Sequence, residues 1–348
     1  MLAHEIVLKR AIELAKLGLG QVSPNPLVGS VIVHKGKIIG EGYHQKYGEA
    51  HAEVNAINQV LVQFDNAEQL LKESTIYVTL EPCSHFGKTP PCADLIIKHQ
   101  IPKVVIGCLD PFESVNGKGV EKLRAAGVEV EIGILENECV DLNKRFFTKV
   151  KHQRPYVILK WAETKDGFFS PDDDSQKWIS GDEAKRLVHL WRSQEDCVLV
   201  GKNTALIDNP QLNVRSVAGR NPKRAVIDKN LELSKQLHLF DNQQNTFVFN
   251  AVKTDLEDKT TYIEIEHFDQ FLPQYVLYQL YLQDVQSLII EGGVKTLQTF
   301  IDAGLWDEAR IFTGNVRWGK GKKSPVLEGK VIEECSIGKD YLTIIKPL

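Results

Sequence analysis

The chain has few cysteines, one methionine and no long apolar run. Its six cysteines are scattered over 348 residues, which favours a metal site or buried thiols in a reducing compartment over a disulfide framework. No stretch approaches the roughly 18–20 apolar residues of a membrane-spanning helix, and the charged N-terminus lacks the apolar core of a signal peptide. With a formal net charge of −4, the chain also lacks the basic excess typical of nucleic-acid-binding proteins. We therefore expect a cytoplasmic protein whose partner is a small molecule, and neither nucleic acid nor a membrane.

The length of the chain is typical of two domains. In the first half, strand and helix patterns alternate, which predicts an α/β three-layer sandwich with a mixed or parallel sheet. A basic stretch around 143–155 has no clear strand pattern. We place the boundary there, with domains at 1–146 and 156–348 and a linker at 147–155. In the second half, a second set of strands follows, and Ser180 has the spacing of a capping box for a helix that runs to about Arg192.

The most informative motif consists of His51 and Glu53, followed by Cys83 and Cys92. One imidazole and two thiolates suit zinc and leave its fourth tetrahedral position free for water. Glu53 is placed to exchange a proton with that water, whose pKa zinc would lower to about 7. The order H-x-E and then P-C is typical of zinc-dependent deaminases of nucleobase-like rings. We therefore predict one zinc ion per chain, held by His51, Cys83 and Cys92, with Glu53 as the catalytic residue.

Two other interpretations of this motif stay open from the residues alone. A closed structural zinc site needs a fourth protein ligand, for which His85 and His44 are the nearest candidates. The protein would then be a zinc-stabilised binding module, and Glu53 would have no role. A deaminase of a tRNA or nucleoside base with an accessory second domain would instead need a basic rim lined with aromatic residues.

The sequence resembles the bifunctional deaminase/reductase family of riboflavin biosynthesis over essentially its whole length. The segments that carry the resemblance are SPNPLVGSVIV (23–33), HAEVNA (51–56), YVTLEPCSHFGKTPPCADLI (77–96) and DPFESVNGKG (110–119). Eight residues separate Cys83 from Cys92, a spacing that is specific to this family among the deaminases. The resemblance implies a cytidine-deaminase-like three-layer α/β/α domain followed by a dihydrofolate-reductase-like α/β domain.

The resemblance also implies two successive reactions on one small molecule. The first is the hydrolytic deamination of 2,5-diamino-6-(5-phosphoribosylamino)pyrimidin-4(3H)-one. The second is the NADPH-dependent reduction of its ribosyl group to a ribityl group, by hydride transfer to C1 of the opened sugar. NADPH carries that chemistry and the protein orients the reactants. We also expect a homo-oligomer, either a dimer or a tetramer.

The matched positions imply roles for individual residues. In the first domain, Asn25 contacts the substrate ring, and the loops Ser84–Thr89 and Gly117–Gly119 shape the site. In the second domain, the cofactor-binding residues are Glu163, Trp178, Thr204, Asp208 and the turn formed by Gly292, Gly293, Val294, Lys295, Thr296 and Leu297. The substrate-binding residues there are Ser175, Gln176, Arg192, Leu212, Arg215 and Glu291.

The residues of the second site also have a physical interpretation of their own. Two glycines follow Glu291 between an apolar strand and a helix, where backbone N–H groups can approach a phosphate, although a plain tight turn has the same pattern. This is not the six-residue dinucleotide fingerprint, so a Rossmann domain is not indicated. Arg192 and Arg215 suit phosphate binding or a surface ion pair, and Trp178 suits the cofactor or the core. The proton donor stays open between Asp208 and Lys160.

Overall fold

The computed structural model describes residues 3–84, 90–112, 115–172 and 178–348. The chain forms two compact units, Met1–His152 and Gln153–Leu348, which we describe one at a time. Each helix in the part of the chain so described is too short or too polar to cross a lipid bilayer.

The first unit combines one sheet with helices on both of its faces. Its helices are α1 (His4–Lys16), α2 (Ala52–Gln63), α3 (Ala67–Leu71), α4 (Cys92–Lys98), α5 (Lys118–Ala125), α6 (Glu136–Leu142) and α7 (Lys144–His152). Its strands are β1 (Gly29–His34), β2 (Lys37–Tyr43), β3 (Ser74–Leu80), β4 (Lys103–Cys108) and β5 (Glu129–Ile132).

The sheet of the first unit is mixed, as predicted. The strand order is β2-β1-β3-β4-β5. β1 is antiparallel to β2 and β3, whereas β3, β4 and β5 are parallel. Successive residues of a strand point to opposite faces: Ile32 packs with residues of α2, α4 and α5, and Val31 packs with residues of α1. Both faces are therefore covered, which confirms the three-layer α/β/α architecture.

The segment predicted as a linker, 147–155, is helical over much of its length. α7 runs to His152, and Phe147 packs into the core beside α1. Among the basic residues of this stretch, Lys151 lies over the ring of Phe147, with its Nζ 5.3 Å from the ring centroid. The segment lacks a strand pattern because it is helical, with Phe147 buried and Phe146 partly buried against the same core.

The second unit is built on a larger sheet. Its strands are β6 (Tyr156–Thr164), β7 (Phe168–Ser170), β8 (Cys197–Gly201), β9 (Lys223–Ile227), β10 (Thr246–Asn250), β11 (Asp255–Glu257), β12 (Thr260–Glu264), β13 (Ser287–Gly292), β14 (Glu308–Gly314), β15 (Lys322–Lys323), β16 (Lys330–Ile337) and β17 (Asp340–Lys346). Its helices are α8 (Asp182–Gln194), α9 (Lys202–Asp208), α10 (Phe268–Leu282) and α11 (Val294–Asp302).

Ten of these strands form one sheet in the order β11-β12-β10-β9-β8-β13-β6-β14-β17-β16. The run from β12 to β14 is parallel, and β11, β17 and β16 are antiparallel to their neighbours. Two apolar clusters cover the two faces, with Ile290 on one and Ile289 on the other. Ligands of open α/β sheets bind at the carboxyl ends of the parallel strands, which is where the Glu291-Gly292-Gly293 turn lies.

The start of α8 differs from the predicted capping box. The residue that precedes the helix is Gly181, and no side chain caps the helix. The N–H of Gly181 donates instead to Oδ2 of Asp340 at 2.6 Å. The prediction of a capping box at Ser180 is therefore wrong: the helix begins one residue later, and the N–H of the glycine before it bonds to a carboxylate of β17 that is distant in sequence.

Candidate active sites

His51, Cys83 and Cys92 come together at one end of the first sheet. Their ligand atoms all lie within 4.8 Å of one another. Nδ1 of His51 is 3.3 Å from Sγ of Cys92 and 3.7 Å from Sγ of Cys83. Tetrahedral zinc with ordinary Zn–N and Zn–S bonds places such atoms about 3.5 Å apart. The donor set and its spacing therefore fit a zinc ion.

Local structure explains why the three ligands meet. His51 is the residue before α2, Cys83 follows β3 through Pro82, and Cys92 is the first residue of α4. The backbone N–H of Cys92 donates to Sγ of Cys83 at 3.3 Å, and the N–H of Ala93 donates to the carbonyl of Cys83 at 3.1 Å. The start of α4 thus holds one ligand and stabilises negative charge on the other.

Electrostatics in this cluster favours thiolate on Cys83. Its pKa is lowered to about 4, first by the Cys92 thiol and then by His51 and the backbone N–H of Cys92. Glu53 lies in the first turn of α2 and is only 3% exposed. Burial raises the pKa of Glu53 to about 7. A buried carboxylate therefore lies beside the three ligands.

His44, weighed as a fourth ligand, has other partners. Its Nε2 is 3.1 Å from Nδ2 of Asn25, and its Nδ1 is 3.1 Å from the carbonyl oxygen of Ala50. Burial lowers the pKa of His44. The other candidate, His85, lies with residues 85–89 outside the described residues, and so does most of the predicted loop Ser84–Thr89. Within the described part of the chain, the ligand cluster has three members.

Glu81 is a residue of this site that the sequence interpretation missed. It is 4% exposed and lies two residues before Cys83. Its carboxylate accepts hydrogen bonds from four backbone N–H groups, those of Asp110, Gly117, Gly119 and Val120. The start of α5, which includes Gly117–Gly119, is therefore fastened to the segment that carries Cys83, a predicted zinc ligand. A glutamate directly before Pro-Cys was the only local signal.

In the second unit, Glu291 and Arg192 form a buried ion pair at the carboxyl end of β13. Arg192 donates from Nε to Oε1 at 2.6 Å and from Nη2 to Oε2 at 2.7 Å. Its Nη1 donates to the carbonyl of Asn213 at 3.2 Å. The guanidinium of Arg192 is thus engaged by a carboxylate, as in the ion-pair alternative, but the pair is buried and does not lie at the surface. Nζ of Lys160 lies 3.9 Å from Oε2 of Glu291, and burial lowers the pKa of Lys160.

The predicted cofactor turn, 292–297, runs from the last residue of β13 into the first turn of α11. Gly293 precedes the helix, and no side chain caps the N–H groups of its first turn. A Cβ at Gly293 would lie 3.3 Å from Oγ1 of Thr204, and a Cβ at Gly201 would collide with Oγ1 of Thr296. Thr204 therefore lies beside the turn. The uncapped N–H groups and the absence of side chains on the glycines fit a phosphate group of a dinucleotide.

Other predicted residues of the second unit have varied environments. Trp178 is 65% exposed, and Nζ of Lys185 lies 4.4 Å from the centroid of its ring. The alternative that Trp178 belongs to the core is therefore wrong. Glu163 accepts a hydrogen bond from Nε1 of Trp161 at 2.9 Å. Burial raises the pKa of Asp208 at the end of α9.

The remaining predicted substrate residues differ in exposure. The side chain of Leu212 packs in the core at 2% exposure. Arg215 is exposed and donates to Oδ1 of Asn213 at 2.8 Å. Ser175 and Gln176 lie outside the described residues. The sequence interpretation also missed His189, whose Nδ1 bonds to the same Asn213 carbonyl as Arg192 at 3.0 Å; no local motif marks it.

Two family models match the chain, one in each unit. Residues 1–108 match the "Cytidine and deoxycytidylate deaminase zinc-binding region". Residues 155–338 match the "RibD C-terminal domain". The chain belongs to the RibD family. Its relatives include the riboflavin biosynthesis protein RibD of Aquifex aeolicus, 39% identical with 97% of each chain covered. Another is that of Escherichia coli, 34% identical with 88% of this chain and 86% of the relative covered.

Solved structures of the family agree over the whole chain. A RibD structure from Acinetobacter baumannii has a TM-score of 0.91 at 34% identity, with 99% of each chain covered. A deaminase/reductase structure from Thermotoga maritima has a TM-score of 0.90 at 38% identity and the same coverage. The chain is thus a bifunctional deaminase/reductase of riboflavin biosynthesis, with zinc and NADPH as its cofactors. The alternative of a tRNA or nucleoside deaminase is not favoured.

Proposed function

We propose that the chain first deaminates 2,5-diamino-6-(5-phosphoribosylamino)pyrimidin-4(3H)-one and then reduces the ribosyl group of the product to a ribityl group. The Thermotoga maritima protein is described as a diaminohydroxyphosphoribosylaminopyrimidine deaminase and 5-amino-6-(5-phosphoribosylamino)uracil reductase. Similarity along the whole chain supports the same substrates here. The observation that carries the proposal is the cluster of His51, Cys83 and Cys92 with the buried carboxylate of Glu53 beside it.

For deamination we propose His51, Cys83 and Cys92 as the zinc ligands. Zinc supplies a Lewis acid that makes water acidic enough to lose a proton near neutral pH. Glu53 would take that proton and deliver it to the ring or to the leaving amine. Its burial keeps bulk water away from the transfer. Asn25, which is half-buried and joined to the site through His44, would hold the pyrimidine ring.

For reduction we propose two groups of residues, one for the cofactor and one for the substrate. The turn 292–297, with Thr204, Asp208, Trp178 and Glu163, would bind NADPH, which supplies the hydride. Arg192, Leu212, Arg215 and Glu291, together with Ser175 and Gln176, would bind the substrate. Since Arg192 is engaged by Glu291, its proposed role is to orient that carboxylate, and the exposed Arg215 is the freer phosphate partner. The proton donor is still proposed to be Asp208 or Lys160.

The test follows both reactions in one sample. The purified protein is incubated with the phosphoribosylated diaminopyrimidinone and NADPH, while ammonia and the absorbance of NADPH are measured together. We expect ammonia to appear first and NADPH oxidation to follow with equal stoichiometry. Absence of ammonia release from zinc-loaded protein would contradict the proposal.

A variant of Glu53 tests its role separately. We expect Glu53→Gln to lower the rate of ammonia release about 10²- to 10⁴-fold, the usual contribution of a general acid/base. Zinc content and NADPH oxidation on already deaminated substrate should not change. Glu49→Gln, an exposed residue ahead of the same helix, is the matched control. Normal ammonia release by the Glu53 variant would show that another group moves the proton.

Three broader expectations accompany the proposal. We place the boundary between the two activities near His152, a position that the division of the chain into two units supports. Light scattering on the purified protein would test the expected dimer or tetramer. Fractionation of cells would test the expected cytoplasmic location.

A further inference from the structure

His44 is a buried histidine that belongs neither to the ligand cluster nor to the core. It follows β2 directly and is 2% exposed. Its ring meets the ring of His51 edge to face, with centroids 5.3 Å apart and an angle of 77° between the planes. One ring nitrogen contacts Ala50, the residue before His51, and the other contacts Asn25. His44 therefore connects the proposed ring-binding residue to the segment that presents a zinc ligand.

The two partners of His44 determine where its proton is. The carbonyl oxygen of Ala50 can only accept, so Nδ1 of His44 carries the hydrogen in this 3.1 Å bond. In a neutral imidazole the other nitrogen then has only a lone pair. Nε2 of His44 must therefore accept, and the group that donates to it at 3.1 Å is the amide NH₂ of Asn25. The tautomer of His44 thus fixes which end of the Asn25 amide faces it.

The orientation of Asn25 leaves its amide oxygen available. The backbone N–H of Asn25 donates to the carbonyl of Val22 at 2.8 Å, and its NH₂ group faces His44. Within the described residues, no protein donor to Oδ1 of Asn25 is found. Asn25 is half-buried, so this oxygen is accessible to a bound molecule. An amide turned the other way would offer an N–H donor to the same molecule.

The backbone around His44 is held independently. The side chain of Asn55 on α2 donates to the carbonyl of Tyr43 at 2.9 Å and to that of Ala50 at 3.3 Å. The N–H of His44 donates to the carbonyl of Val28 at 2.9 Å. Loss of the imidazole should therefore leave the segment before His51 in place and change chiefly the amide of Asn25.

We propose that His44 is a positioning residue for substrate recognition: it holds the amide of Asn25 with its oxygen toward the ring, so that the site selects a pyrimidine edge that donates a hydrogen bond. An amino group or ring N–H at that edge can donate a hydrogen bond to Oδ1 of Asn25 and is therefore bound. A carbonyl oxygen at the same place faces the lone pairs of Oδ1 and is repelled. This inference rests on the proposed function, because it takes Asn25 as the ring-binding residue.

The test is a double-mutant cycle on the zinc-loaded full chain. His44→Phe keeps a ring but loses both nitrogens. We expect it to raise the KM for deamination about tenfold, the loss of one net hydrogen bond, with kcat within about threefold and zinc content unchanged. Asn25→Ala should raise KM at least as much, and adding His44→Phe to Asn25→Ala should have no further effect. His44→Gln, whose amide oxygen can accept from Asn25, should recover most of the affinity.

His99→Phe is the matched control for loss of a buried imidazole. His99 is 6% exposed, follows the end of α4 that is opposite to Cys92, and forms a hydrogen bond with Glu68 on α3, so its loss should leave KM unchanged. Loss of zinc in His44→Phe would overturn the inference. It would also be overturned if His44→Phe raised KM by the same factor in the unmutated protein and in Asn25→Ala. An unchanged KM in Asn25→Ala would also overturn it while leaving the deaminase assignment intact. Absence of ammonia release from the unmutated protein would instead contradict the proposed function itself.

Discussion

Arg192 and Glu291 form a two-bond ion pair, 2.6 and 2.7 Å long, inside the second unit. The side chains are 11% and 9% exposed. Removing one partner of such a pair leaves a buried charge without compensation. Loss of either partner is therefore expected to destabilise the second unit, in addition to any effect on the proposed substrate site.

We predict that Glu291→Gln destabilises the second unit by about 3 kcal/mol and lowers reductase activity. Urea unfolding and NADPH oxidation on the deaminated substrate measure the two effects. Ammonia release should be unchanged, because the first unit has its own core. Glu328→Gln, an exposed residue of the same unit, is the control. A Glu291 variant with normal stability and normal reductase activity would contradict both roles.

The same pair predicts how the second unit responds to acid. Burial alone would raise the pKa of Glu291, but the charges of Arg192 and Lys160 outweigh it and lower the pKa from 4.5 to about 2. The folded state therefore binds a proton less readily than the unfolded state. The stabilisation is fully present above about pH 4.5 and is lost as the pH falls toward 2. We expect the stability difference between the unmutated protein and Glu291→Gln, measured by urea unfolding, to shrink as the pH falls through this range. A constant difference would contradict the lowered pKa.

The deaminase site could be predicted from sequence because its ligands lie at the ends of regular elements. A clear sequence pattern marks the helix after His51, the strand before Cys83 and the helix that begins at Cys92. Helices and strands that end at the same edge of a sheet bring their terminal residues close together. The uncapped turn at Gly292 and Gly293 could be predicted for the same reason.

Other features depend on contacts between distant residues and left no local signal. Glu291 is 99 residues from Arg192, so an ion pair could be considered for the arginine but its partner could not be identified from local pattern. The four N–H groups that reach Glu81 come from 29 to 39 residues away. The C-terminal strands β16 and β17 were not predicted: β16 is mostly exposed, so it lacks the apolar alternation by which strands are recognised.

Zinc removal should separate the two activities. We predict that dialysis against a chelator, or Cys92→Ala, lowers ammonia release at least about 100-fold, because activation of water is lost. NADPH oxidation on deaminated substrate should continue, since the ligand cluster lies in the first unit. Metal analysis should find about one zinc per chain before dialysis. Cys335→Ser, a half-buried cysteine of the second unit, should keep both zinc and activity. Zinc added back should restore the dialysed protein but not Cys92→Ala, and recovery of the variant would exclude Cys92 as a ligand.

Glu81 is expected to stabilise the deaminase unit through its four backbone partners. Glu81→Gln replaces one acceptor oxygen with an NH₂ group that faces N–H donors, so at least one bond to a charged acceptor is lost. We predict a loss of about 3 kcal/mol in the stability of the first unit and a lower kcat/KM for deamination, measured by urea unfolding and ammonia release.

A matched variant distinguishes this effect from a general loss of charge. Glu121→Gln changes an exposed carboxylate on α5, the helix whose first N–H groups Glu81 accepts. It should leave stability and deamination unchanged, and neither variant should alter NADPH oxidation. Gly119 approaches Pro82 so closely that a Cβ there would collide with the carbonyl oxygen of Pro82, so the start of α5 has little room to shift toward this segment and find new acceptors. If Glu81→Gln unfolds at the same urea concentration as the unmutated protein, the four bonds do not hold the start of α5 against the segment that carries Cys83.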